Sequence, residues 1–124
     1  MRGEATNKYT ELSDFEINVK IADLIGATPY PYGSGGYHSS TVSGMEGAII
    51  IKSPHKVGAF NPCNNPADAM PIIIGNGISM VRVNNAWSAR QFNNHCIEIN
   101  GDNYFRIAME VYLLMKDEEN SNGN

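Results

Sequence analysis

The stretch Phe60-Asn61-Pro62-Cys63-Asn64-Asn65-Pro66-Ala67-Asp68-Ala69-Met70-Pro71, FNPCNNPADAMP, holds three prolines and three asparagines in twelve residues, and no other run of the chain resembles it. Its reading decides how the middle of the chain folds. Asn65 followed by Pro66 has the form of a helix N-cap with proline at the first helical position, where the missing N–H costs nothing. Asp68 lies in the first turn, where a carboxylate meets the positive end of the helix dipole. Pro71 removes a donor, and its ring collides with the preceding turn. The pattern therefore predicts a short helix, NPADAM, that stops or kinks within two turns. Ile72-Ile73-Ile74 then reads as a strand running to the turn Gly75-Asn76-Gly77.

On the C-terminal side, Ile78-Ser79-Met80-Val81-Arg82-Val83 alternates with period two, the mark of a half-buried strand. Asn84-Asn85 is a turn, and Ala86-Trp87-Ser88-Ala89 returns as a hairpin strand. Asp102-Asn103 can cap a last helix, in which Phe105, Ala108, Met109, Tyr112, Leu113 and Met115 form a broad apolar face. That helix is expected to end near Lys116, with Arg106 and Glu110 at i, i+4 on its polar side. KDEENSNGN beyond it reads as a loose polar tail. On the N-terminal side, Ser13 and Glu16 form a capping box. Ile17, Ile21, Leu24 and Ile25 make a helical stripe, and Gly26 suits the left-handed stop. Helix one is therefore expected over Asp14–Ile25. Residues 1–11 read as loosely held. Residues 28–44, TPYPYGSGGYHSSTVSG, form a long Gly/Tyr-rich loop, a length uncommon in compact domains without function or disorder. Ala48 to Lys52 reads as a short buried strand.

The 124 residues suffice for one domain with a single core. No apolar run reaches the roughly 20 residues of a membrane helix. The N-terminus lacks a signal-peptide pattern, so the default expectation is the cytoplasm. A net charge of −4, with nine scattered basic residues, argues against a duplex-DNA coat. A small anion needs only one or two arginines and remains compatible.

The residue types present raise four possible chemistries. Cys63, Cys96, His38, His55 and His95 lack the paired spacing of a zinc site, and free thiols describe them better. Cys63 or Cys96 with a histidine would make a nucleophile, but no activating context is visible. YGSGGYHSS lacks the Gly-Lys-Ser/Thr end of a phosphate loop. Its Tyr30, Tyr32 and Tyr37 could stack on a planar ligand or pack on the sheet. Asn61, Asn64, Asn65, Asn93 and Asn94 can read polar edges or serve turns and caps, and Asn65 already has a cap to make. Trp87 reads as a core anchor, or as a pocket edge beside Arg90.

LSDFEINVKIADLIG, FNPCNNPADAMPIIIGNGISMV, the dipeptide AW and YFRIAMEVYLLMKD together resemble the NinX-like proteins of lambdoid phages, a family of unknown function. The resemblance spans helix one and roughly residues 60–115. Met70 stands where the family pattern has tryptophan. Asn103-Tyr104-Phe105-Arg106 stands where it has Asn-Pro-Leu-Arg, so Arg106 is kept. The resemblance implies a phage accessory protein. By analogy with phage proteins that withhold immune signals, it also suggests a sponge for a nucleotide-derived molecule.

The expectation is an α+β single domain, with one small antiparallel sheet from residues 48–52, 72–74, 78–83 and 86–90 covered by two main helices. A sheet this small implies a homo-oligomer. The expected function is non-enzymatic binding of a small nucleotide-like anion. Arg82, Arg90 and Arg106 would meet phosphates, Asn61, Asn64 and Asp68 would read polar edges, and Trp87 or Tyr37 would stack. No cofactor, metal, catalytic residue, membrane or duplex partner is assigned. A protein-binding module that inhibits a host enzyme or assists phage recombination is the alternative, and a Cys63 or Cys96 hydrolase the third.

Overall fold

Ser13 opens the first helix, α1 (Asp14–Leu24), through a complete capping box. Its hydroxyl accepts from the Glu16 N–H at 3.1 Å, and the Glu16 carboxylate accepts from the Ser13 N–H at 2.8 Å. Ile17, Ile21 and Ala22 are fully buried on one face. Gly26, with φ +81°, turns the chain out as its position implied. The structure is a computed structural model that describes residues 7–31, 35–91 and 94–122; for residues 94–96 and 122 it describes the backbone.

Two small antiparallel sheets follow in place of the single expected one. The first has the order β1-β2-β3, formed by β1 (Thr28–Pro29), β2 (Ile49–Ser53) and β3 (Lys56–Phe60). Ile49, Ile51 and Phe60 face the core, while Ile50 and Val57 share the outward face. The second has the order β4-β5-β6, formed by β4 (Ile78–Val83), β5 (Ala86–Gln91) and β6 (Asn94–Gly101). Asn84, at φ 56°, makes the two-residue turn between β4 and β5, a conformation asparagine tolerates.

Residues 72–74 are not a strand. They belong to α2 (Pro66–Gly75), which runs through Pro71. Pro71 removes one N–H from the ladder, but burial of Ala69, Ile72 and Ile73 against the last helix carries the helix past it. The last helix, α3 (Tyr104–Asn122), also runs beyond the Lys116 expected. Its charged end is tied down by Lys8, which pairs with Asp117 at 3.2 Å, and by Tyr9, whose hydroxyl donates to Asp117 at 2.5 Å. Residues 7–11, within the stretch 1–11 expected to be loose, form turns that bury Tyr9 to 6% exposure.

α3 is the centre of the molecule. The second sheet packs on one side of it, α1 and α2 on the other, and the first sheet leans on α1. Met109 and Val111 on α3 and Ile17, Ile21, Ile49 and Ile51 elsewhere are fully buried. Each such side chain contributes about 1.5–3 kcal/mol by leaving water. The result is an α+β domain of three helices and two three-stranded sheets.

Candidate functional site

The opening stretch lies where α1, α2 and α3 meet. Asn61 and Asn64 form a turn closed by the Asn64 N–H on the Asn61 carbonyl at 3.0 Å, and Asn65 caps α2 by accepting from the Ala67 N–H at 2.8 Å. The side chains then face inward to one another. Asn18 of α1, fully buried, donates to the Gly47 carbonyl and to Asn61 Oδ1, each at 2.9 Å, and accepts from the Cys63 N–H at 3.2 Å. Asn64 donates to Asp14 at 2.9 Å and to Asn61 Oδ1 at 3.2 Å, and accepts from Asn103 at 3.3 Å. Asp68 accepts from the Asn61 N–H at 2.8 Å and from Lys56 at 2.6 Å.

Arg106 closes this array. Its Nε donates to Glu110 and one terminal nitrogen to Asp14, both at 2.6 Å; the other terminal nitrogen donates to the Tyr9 and Leu12 carbonyls at 2.9 and 2.7 Å. Glu110, only 5% exposed, also accepts from Asn7 at 2.6 Å. Burial alone would lower the Arg106 pKa, but the bonds to Asp14 and Glu110 outweigh it and hold the pKa above the ordinary value. The Arg106–Glu110 pair, expected on a polar face, therefore lies inside, because the N-terminal turn covers it. Asn61, Asn64, Asp68 and Arg106 are brought together, with their polar groups directed at protein partners.

Cys63 is fully buried beside them. Desolvation, then the Asp14 charge, pushes its pKa well up, so the thiol keeps its proton. That environment is the opposite of an activated nucleophile. Among the described residues, no group of three or more His, Cys, Asp or Glu is placed to hold a metal ion.

The other named residues lie on the second sheet. Arg82 and Trp87 are cross-strand partners, and the Arg82 guanidinium sits 5.0 Å from the centre of the indole. Trp87 also meets Tyr104, the first residue of α3, edge to face at 4.8 Å and 86°. Phe105 continues the aromatic row at 4.9 Å from Tyr104. A partly exposed indole thus adjoins both a cation and the first residue of a 19-residue helix. Arg90 is apart from this cluster, on the opposite face of β5. Its Nε donates to Ser88 at 3.0 Å and lies 3.7 Å from Glu98. Tyr37 is also separate: its hydroxyl is enclosed without a partner among the described residues, and burial, then the Asp23 charge, raises its pKa. Tyr32 and Asn93 lie outside the described residues, as do the side chains of Asn94, His95 and Cys96. A groove of about 470 Å³ beyond α1 is lined by Tyr30, Lys52, Ser53 and Pro54 among others, and contains none of the assigned ligand residues.

With this geometry established, the family model described as Bacteriophage P22, NinX matches residues 8–116. The chain belongs to the NinX family. No curated protein and no solved structure matches it. In this NinX-family chain the matched span runs from the Lys8 turn through Lys116, and so covers the Arg82–Trp87–Tyr104 cluster and all of the internal polar array except Asn7. No helix among the described residues is long and apolar enough to cross a membrane. Sequence reasoning missed Asn7, Asp14, Asn18 and Asn103 as members of the array. Asn18 carried a signal, since it sits beside Ile17 in the apolar stripe of α1, where an amide needs partners.

Proposed function

We propose that this chain is a non-enzymatic phage accessory protein that binds a small nucleotide-like anion in the host cytoplasm and withholds it as a sponge for a defence signal. The observation that carries the reading is the Arg82–Trp87–Tyr104 cluster. A planar base can stack on the exposed part of the indole, and phosphate oxygens can take the Arg82 guanidinium, which has no carboxylate partner among the described residues. Asn61, Asn64, Asp68 and Arg106 serve this site indirectly, by fixing α3 and hence Tyr104. Buried, protonated Cys63 supports a non-enzymatic role. Self-association into a homo-oligomer completes the proposal, supported by the exposed valines Val81 and Val83 on the edge strand β4.

Native mass spectrometry tests it. The purified protein is compared before and after incubation with extract of phage-infected, defence-positive cells. A mass gain of a few hundred daltons, released chemically unchanged and lost in Arg82→Glu and Trp87→Ala, is the expected result. A ligand returned altered points to an enzyme. A second reading, a protein-binding module that inhibits a host enzyme or assists recombination, draws on Ile50 and Val57, exposed 42% and 57% on one outward sheet face. Absence of any mass gain, together with capture of a defined host protein lost on Val57→Lys, would favour it.

A further inference from the structure

Four strands bound the two sheets, and three of them carry a device that blocks further pairing. β1 is two residues long and ends at Pro29. β3 begins with Lys56 and carries a glycine, Gly58, at a φ of 150° in its middle. β6 pairs with β5 through a register irregularity at Arg90 and Gln91. β4 has none of these. It reads Ile-Ser-Met-Val-Arg-Val, without proline, glycine or lysine, and pairs with β5 in unbroken register. Its one charge, Arg82, is drawn across the ladder onto Trp87. Alternate residues of an antiparallel edge strand aim their N–H and C=O outward. Among the described residues, no hydrogen bond from outside the sheet reaches those groups of β4.

Folded proteins blunt such edges because an open row of donors and acceptors templates another strand. We propose that β4 is the seam of a homodimer, where it pairs antiparallel with β4 of a second copy about a two-fold axis and joins two three-stranded sheets into one of six. A second copy fits this edge for three reasons. Antiparallel pairing about a two-fold lets the same strand supply both donors and acceptors. The strand's one charge is held on its own indole, so like charges need not meet at the seam. Val81 and Val83, 36% and 39% exposed on the outward face, gain apolar neighbours from the other copy. The inference rests on the self-association proposed above and assigns it a place.

The test is native mass spectrometry of the full chain, followed by a scan of single cysteines at each position from Ser79 to Val83. The scan is treated with a short bifunctional thiol reagent, with the unmodified chain and Val57→Cys on the blunted edge as controls. Circular dichroism confirms that each variant is folded. The expected result is a doubled mass and cross-linked dimer from β4 positions on one face, well above both controls. Paired residues there sit about 4.5–5.5 Å apart between Cα atoms. Val81→Lys should convert dimer to monomer while leaving the spectrum unchanged. A monomer at every concentration overturns self-association itself. A dimer that cross-links from no β4 position, or equally from Val57→Cys, overturns the seam alone.

Discussion

Arg106 directs its donors to two carboxylates and two carbonyls, and removing it leaves Glu110 buried without its cation. Arg106→Ala should therefore lower unfolding free energy by about 3–5 kcal/mol, read by urea denaturation. Arg106→Lys should recover little, because one ammonium cannot reproduce the planar fork. Cys63 and Tyr9 give a second prediction. Desolvation raises both pKa values above their ordinary 9.0 and 10.0. Both groups therefore hold their protons more tightly in the folded chain than in the unfolded one. Their contribution is complete below the unfolded values and is lost as pH rises through them toward the folded values. Melting temperature should stay level to about pH 8.5 and then fall, and a thiol reagent should reach Cys63 only on unfolding. A rising melting temperature above that pH would contradict the burial argument.

At the scale of elements, α2 is the instructive case. Pro71 lies in its interior, so Pro71→Ala restores an N–H to the ladder and should raise stability by at most about 3 kcal/mol. Pro71 is exposed, so a loss measured by thermal melting would mean that its fixed φ restricts the unfolded chain by more than the missing N–H costs. The sequence makes α1 legible because its capping box and stripe are local signals. It makes Ile72-Ile73-Ile74 ambiguous, since three isoleucines suit a strand as readily as a buried helix face. Burial resolves them: Ile72 and Ile73 are 8% and 3% exposed and Ile74 is 72%, a helical pattern set by packing on α3. β3 and β6 escape notice because Lys56, Gly58, Asn94 and Glu98 dilute their alternation. The end of α3 reads as a tail because what fixes it, Lys8 and Tyr9 on Asp117, comes from the other end of the chain.

For the whole molecule, Gly101 marks how closely the second sheet approaches α3: a Cβ there would stand 2.9 Å from Ile107 Cγ2. Gly101→Ala should push the sheet from the helix, cost about 1–3 kcal/mol and shift Trp87 fluorescence, since Trp87 pairs with Gly101. Unchanged emission would mean that Ile107 yields instead. The hairpin that carries Arg82 and Trp87 was legible from period-two alternation, but Trp87 was expected beside Arg90, and it is cross-strand register that gives it Arg82 instead. The internal array was not legible, because Asn64 reaches Asp14 across 50 positions and Asn18 reaches Asn61 across 43, beyond any local pattern. The links made by Arg106 carry a consequence for how the protein is made. Arg106 joins Asp14 across 92 positions and the Tyr9 carbonyl across 97. While the chain is being synthesised, α1 and the Asn-rich turn leave the ribosome with Asp14 and the Tyr9 and Leu12 carbonyls still lacking the Arg106 guanidinium. They acquire their final partner when the last helix emerges. Nascent chains stalled before α3 should accordingly be cut by protease throughout, and protection should arrive in a single step once Arg106 clears the exit tunnel.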